Sequence, residues 1–275
     1  MPRLALGMLS FAASMFIVPI TLAAGLNDTG QTLCAASGTP PDSCVNGNGT
    51  FRYADTGNNP REDARYGRDA KAAAGLLTKI GGGNAGFDFT RIGNNGNPAT
   101  NTTLGSGPTD WACTRDNVTG LTWEVKTGTS GLHNLNHDYT WYSTASDNGG
   151  ISGAIGANTC SGTLSGPYNN KCNTENFVAA VNASMYCGGN DWRLPTRKEL
   201  QSIVHSGTAG SAGSIDTAYF PNMPYNISTY GYFHWTASTW APNASLAWYV
   251  NFSLGDVRPL EKTNEMKVRL VRSGL

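Results

Sequence analysis

The sequence predicts an α+β fold of antiparallel strands and two short helices, preceded by a loop-rich N-terminal segment. Three observations predict it. Apolar and polar residues alternate with a period of two in Leu121–Lys126, Trp248–Phe252 and Lys267–Leu270. Two stretches with helical periodicity, 173–186 and 196–204, stand between those strands. Turn formers punctuate the rest, with 34 Gly and 13 Pro in 275 residues. At 39% hydrophobic residues the chain can still bury a core.

Taken in order, residues 1–25 read as a signal peptide. Arg3 is a short basic start, Leu4 to Leu22 is almost wholly apolar, and the small residues Ala23, Ala24 and Gly25 follow. The mature chain is therefore expected to be secreted or held at the cell surface. Residues 26–85 form the loop-rich segment, with one helical candidate at Arg61–Leu77, weakened by Gly67 and Gly75. Gly81-Gly82-Gly83-Asn84 reads as a joint into a domain spanning 86–275. Within it, Leu121, Trp123 and Val125 alternate with Thr122, Glu124 and Lys126 as in a half-buried strand. The first helix, Asn173 to Tyr186, places Phe177, Val178, Val181 and Met185 on one face and stops at Gly188-Gly189. The second starts at Thr196, where Thr196 and Glu199 spell a capping box ahead of Leu200, Ile203 and Val204. Trp248, Val250 and Phe252 lead through Gly255-Asp256 into Val257–Leu260 as a hairpin.

Charge narrows the function. Lys+Arg and Asp+Glu are 19 each, and charged residues are 14% of the chain against roughly 25% in an average protein. A neutral chain does not draw a polyanion by bulk charge, so no nucleic-acid partner is expected. The six cysteines, in an exported chain, read as three disulfides. Cys34–Cys44 and Cys160–Cys172 each close a short turn-rich loop, leaving Cys113–Cys187 as the long-range staple, although other pairings are combinatorially open. No Cys-x-x-Cys pair supports a zinc site. His133 and His137 lie in a Gly/Asn/Thr-rich loop and read as surface residues. No Gly-x-Ser-x-Gly elbow suggests a hydrolase.

The run Asp191-Trp192-Arg193-Leu194-Pro195-Thr196-Arg197-Lys198-Glu199-Leu200 resembles the signature of the Lcl C-terminal domain family, named for the Legionella collagen-like adhesin. Arg115-Asp116-Asn117-Val118-Thr119-Gly120-Leu121-Thr122-Trp123-Glu124, Trp235-Thr236-Ala237-Ser238 and Val268-Arg269-Leu270-Val271-Arg272 agree with it, over residues 87–275. The Arg-Leu-Pro-Thr-x-x-Glu core is also similar to a motif of formylglycine-generating enzymes. The resemblance implies a C-type-lectin-like domain. It also poses an oxidase reading, which the sequence disfavours: those enzymes use a cysteine pair near the C-terminus, and here no cysteine follows Cys187. No catalytic residue is expected.

What the family resemblance implies instead is a non-catalytic, adhesin-like binding protein for anionic or sulfated polysaccharide or for a surface protein. A structural or tip subunit of an extracellular bacterial appendage or matrix, self-associating or not, is the other reading. Candidate ligand-binding cations are Arg197 and Lys198 at the helix start, with Arg258, Lys262, Lys267 and Arg269 near the C-terminus. Alternation places Lys267 and Arg269 on one face, expected to point outward. Trp141, Tyr142 and Trp240 stand among polar residues as candidate sugar-stacking surfaces. Asp138, Asp147 and Asn148 offer hard oxygen ligands of the kind calcium takes, without the spacing of an EF-hand.

Overall fold

The computed structural model describes residues 29, 33–34, 42–43, 67–164, 166–208, 213–223 and 232–273. The expected signal peptide and the Cys34–Cys44 bridge fall outside the described residues, the latter because Cys44 does. The described part of the N-terminal helical candidate is α1, Arg68–Ala73, after which Gly75 turns the chain at φ 70°. A two-residue hairpin, β1 (Leu33–Cys34) with β2 (Asp42–Ser43), lies upstream.

The main sheet contains β3 (Phe89–Gly93), β4 (Trp111–Asp116), β5 (Thr122–Glu124) and the terminal β11 (Val271–Arg272). Its order is β11-β5-β4-β3, and every pair is antiparallel. Asp116 closes the β4–β5 turn. Its Oδ1 accepts the Val118 and Thr119 N–H groups at 2.9 and 3.3 Å, and Gly120 takes φ 75°. A second antiparallel sheet joins β7 (Phe233–Thr239), β8 (Leu246–Asn251) and β9 (Asp256–Glu261). The expected hairpin is present as β8–β9, with Asn251 opposite Asp256. A short ladder pairs β6 (Tyr139–Thr140) with β10 (Glu265–Met266). The expected α+β class with antiparallel strands is what the structure shows.

β5 is not half-buried. Thr122, Trp123, Glu124, Val125 and Lys126 are all buried, because two apolar clusters cover both faces of the sheet. Trp123 enters the cluster with Phe87, Phe89, Leu200 and Val271. Cys113, the partner of Glu124 across the ladder, belongs to the other cluster with Tyr139, Phe177 and Val181. The period of two therefore separates an apolar face from an ionic one, not core from water.

The first long helix, α2, runs Thr174–Ala183, with the Asn173 side chain accepting from the Asn176 N–H. Phe177 and Val181 are buried as the periodicity requires, but Met185 is exposed. The helix ends before it: Met185 and Cys187 take φ 54° and 48°, and that left-handed passage carries Cys187 to Cys113. The Cys113–Cys187 and Cys160–Cys172 disulfides both form as expected. α3, Arg197–Gln201, is shorter than predicted, yet its capping box is complete. Thr196 accepts from Glu199 N–H, and Glu199 Oε2 accepts from Thr196 N–H at 2.8 Å. Glu199 also grips Arg193 with both oxygens, at 2.8 and 2.7 Å, so one carboxylate starts the helix and fixes the preceding turn. Thr196→Ala is expected to cost about 1 kcal/mol of stability in urea unfolding, and Glu199→Ala more, since it also frees Arg193.

Candidate polysaccharide groove

Two hydrogen bonds from backbone N–H groups bring the α3 start against the β7–β8 sheet. The Ala237 N–H donates to Pro195 O at 2.7 Å, and the Arg197 N–H donates to Ser238 Oγ at 3.3 Å. Trp240 leaves β7 and opens the turn into β8, its N–H donating to Leu246 O at 2.9 Å. Between these elements lies a groove of about 670 Å³. Its cations are Arg197 and Lys198, and its flat surfaces are Trp240, Trp248 and Pro242. The Arg197 guanidinium lies 4.6 Å from the Trp248 ring centre, a stacking that fixes a charge otherwise free to wander. Among the described residues no carboxylate lines the groove, Glu199 being paired with Arg193, and neither Arg197 nor Lys198 forms an ion pair. Of the seven tryptophans, five are buried; the two that are not, Trp240 and Trp248, both line this groove.

Three sequence-predicted binding residues thus meet: Arg197, Lys198 and Trp240. Trp248, read from its alternation as an inward strand residue, is the member the sequence did not reveal. Its pairing partner across the sheet is Pro259, and it remains half-buried because the α3 start covers only part of it.

The other predicted cations are placed differently. Lys262, Lys267 and Arg269 are buried, so the outward-facing basic strand is not formed. The chain there is enclosed: Lys267 N–H donates to Phe233 O and Trp235 N–H to Lys267 O, while Val271 pairs with Trp123 on one side and exchanges hydrogen bonds with Arg193 on the other. Lys262 Nζ donates to Asn148 O and Ile151 O at 2.8 and 2.6 Å and sits 3.8 Å from the Trp141 ring centre. Lys267 pairs with Asp138 at 2.9 Å. Arg269 donates to Glu124 O at 2.6 Å. Arg258 is exposed and pairs with Asp256. Trp141 is likewise core, its indole N–H bonded to Thr236 O, and Tyr142 is half-buried.

Around the loop proposed for calcium, Asp138 faces Lys267, Asp147 is exposed, and Asn148 Oδ1 accepts the Gly150 N–H. Among the described residues no group of three or more His, Cys, Asp or Glu could hold a metal ion. Neither histidine of that region lies free on the surface. His137 is buried, and His133 binds Glu124 Oε1 through Nδ1 at 2.8 Å while stacking on Tyr186 at 3.7 Å. Burial alone would raise the Glu124 pKa, but Lys126 at 2.6 Å and His133 hold it down to about 2. Burial brings the Lys126 ammonium down to about 8, Glu124 offsetting part of that loss.

A family model described as the Lcl C-terminal domain matches residues 112–272. The chain belongs to that family. The Lcl C-terminal domain thus runs from β4 to β11 and includes the groove, the clamped Arg193–Glu199 pair and both described disulfides. β3, which completes the main sheet beside β4, lies N-terminal to the matched span. No match was found among the curated proteins or among the solved structures.

Proposed function

We propose that this protein is an exported, non-catalytic binding protein of adhesin type, C-type-lectin-like in fold, whose groove holds an anionic, sulfated polysaccharide. The observation that carries the reading is the groove itself, where both incompletely buried tryptophans meet two cations that no acid among the described residues neutralises. Sulfated sugars present an apolar ring face beside fixed negative charge, and this surface offers a counterpart to each. A locally basic face can attract such a polymer although the whole chain is neutral. Membership of the Lcl C-terminal domain family and the disulfides, which persist in oxidising compartments, support the extracellular setting.

The test is heparin affinity over a salt gradient. The double substitution Arg197→Ala with Lys198→Ala is expected to elute at clearly lower salt than the unaltered protein, because fewer ionic contacts leave fewer counterions to release. Trp240→Ala is expected to weaken retention with a smaller change in salt dependence. Arg258→Ala, which removes a cation already paired with Asp256, is expected to change little. An Arg258→Ala effect matching that of the double variant would move the site away from the groove.

A further inference from the structure

A separate cavity of about 690 Å³ lies along the loop that follows β5, and among the described residues its lining carries no Lys, Arg, Asp or Glu. Two Gly-rich loops, 104–106 and 127–131, and the end of α2 form its walls. Its hydroxyl and amide side chains are Asn94, Ser106, Thr127, Thr129, Ser130 and Ser184, and its aliphatic ones are Leu104 and Leu132. Its one titratable nitrogen heterocycle is His133.

The surroundings fix that imidazole, which is only partly exposed, from several sides. Glu124 is fully buried and holds its charge, so it only accepts, and the His133 Nδ1 it faces must carry the proton. Tyr186 stacks on the ring at 17° between planes, and its own hydroxyl is spent on the carbonyls of Ala112 and Val125. Glu124 is closed off from a ligand by burial: Oε1 accepts from Lys126 and His133, and Oε2 from the Leu270 N–H at 3.0 Å. The opposite ring nitrogen, Nε2, has no protein partner among the described residues. A buried carboxylate, a stacked tyrosine and a lysine counterion thus hold one imidazole edge toward a roomy cavity.

We infer that this cavity is a second binding site, for a neutral sugar unit of one or two rings, with His133 as its anchoring group and Glu124 as the residue that positions it. The volume lies within the roughly 300–1,000 Å³ of small-ligand sites. The absence of charge in the lining disfavours anions and cations alike, which separates this site from the Arg197 groove. Hydroxyl and amide side chains beside two leucines suit a ring with hydroxyl edges and a C–H face. With Nδ1 turned to Glu124, Nε2 is the ring atom left to hydrogen-bond a sugar hydroxyl.

The experiment is nitrogen-15 NMR of the His133 imidazole during titration with a panel of neutral methyl glycosides: glucoside, galactoside, mannoside and N-acetylglucosaminide. At up to about 20 mM, enough to see a Kd of ~1 mM, at least one is expected to shift Nε2 while Nδ1 stays protonated. His133→Phe keeps the stacking on Tyr186 and removes Nε2, and is expected to weaken binding at least about tenfold when read from the backbone amide signals of Ser130 and Gly131. Ser130→Trp, which leaves Glu124 and its partners intact, is expected to obstruct the cavity and abolish the shift, keeping the test open if His133→Phe unfolds. Arg197→Ala should leave the titration unchanged. If no glycoside moves His133, or if binding persists undiminished in both cavity variants, the site is not a sugar site.

Discussion

Substituting both Cys113 and Cys187 with Ala is expected to be among the most destabilising changes that leave the groove residues in place. The bridge joins β4 to the turn after α2 across 74 residues of chain, and both sulfurs are fully buried. In the chain-entropy account its loss costs roughly 4.5 kcal/mol, against about 3 kcal/mol for Cys160–Cys172, which spans 12 residues. The larger figure corresponds to a midpoint lowered by roughly 9–18 °C for a domain of this size. Calorimetry on the two double variants checks the ranking. Equal losses, or a larger loss on removing Cys160–Cys172, would mean the long-range staple does not organise the domain as described.

Glu124→Gln is expected to cost about 3–5 kcal/mol, the usual penalty for leaving one member of a buried ion pair without its partner. Lys126 and His133 both rest on that carboxylate, and its Oε2 holds the Leu270 backbone in place. Adding Lys126→Met to Glu124→Gln is expected to recover part of the loss, because the stranded ammonium goes too. The pH dependence follows from the lowered pKa. A carboxyl that falls from 4.5 to about 2 on folding contributes stability that is complete above about pH 4.5 and is lost as pH falls towards 2. Urea midpoints measured from pH 6 down to pH 2 should therefore drop more steeply for the unaltered protein than for Glu124→Gln. Parallel acid profiles would remove Glu124 from the account.

Local rules were legible in the sequence. The capping box at Thr196 and Glu199 depends on four consecutive residues and appears as written. The β8–β9 hairpin needs only alternation and a glycine that adopts φ 75° at 255. Cys160–Cys172 closes a short loop and could be read from spacing. What alternation could not reveal is what covers each face. Lys262, Lys267 and Arg269 are polar positions in a strand-like pattern, yet carbonyl oxygens, Asp138 and the Glu124 backbone receive them inside the protein. Trp141 sits among polar neighbours in sequence but is enclosed in three dimensions, with Lys262 lying over its ring. The groove was half legible. Arg197, Lys198 and Trp240 could be named singly, but their meeting depends on the Pro195–Ala237 contact between segments 42 residues apart, which no local pattern encodes.

The most direct measurement of the central claim uses the protein's own tryptophans. Five of the seven indoles are buried, so those of Trp240 and Trp248 can be followed in a nitrogen-15 spectrum as probes of the groove. On titration with a heparin-derived hexasaccharide, the indole N–H signals of Trp240 and Trp248 are expected to move together and saturate, while those of Trp123, Trp141 and Trp235 stay in place. The movement is expected to vanish in the Arg197→Ala, Lys198→Ala double variant. Saturable binding of the hexasaccharide that leaves both groove indoles unmoved would contradict the account, as would no binding at all.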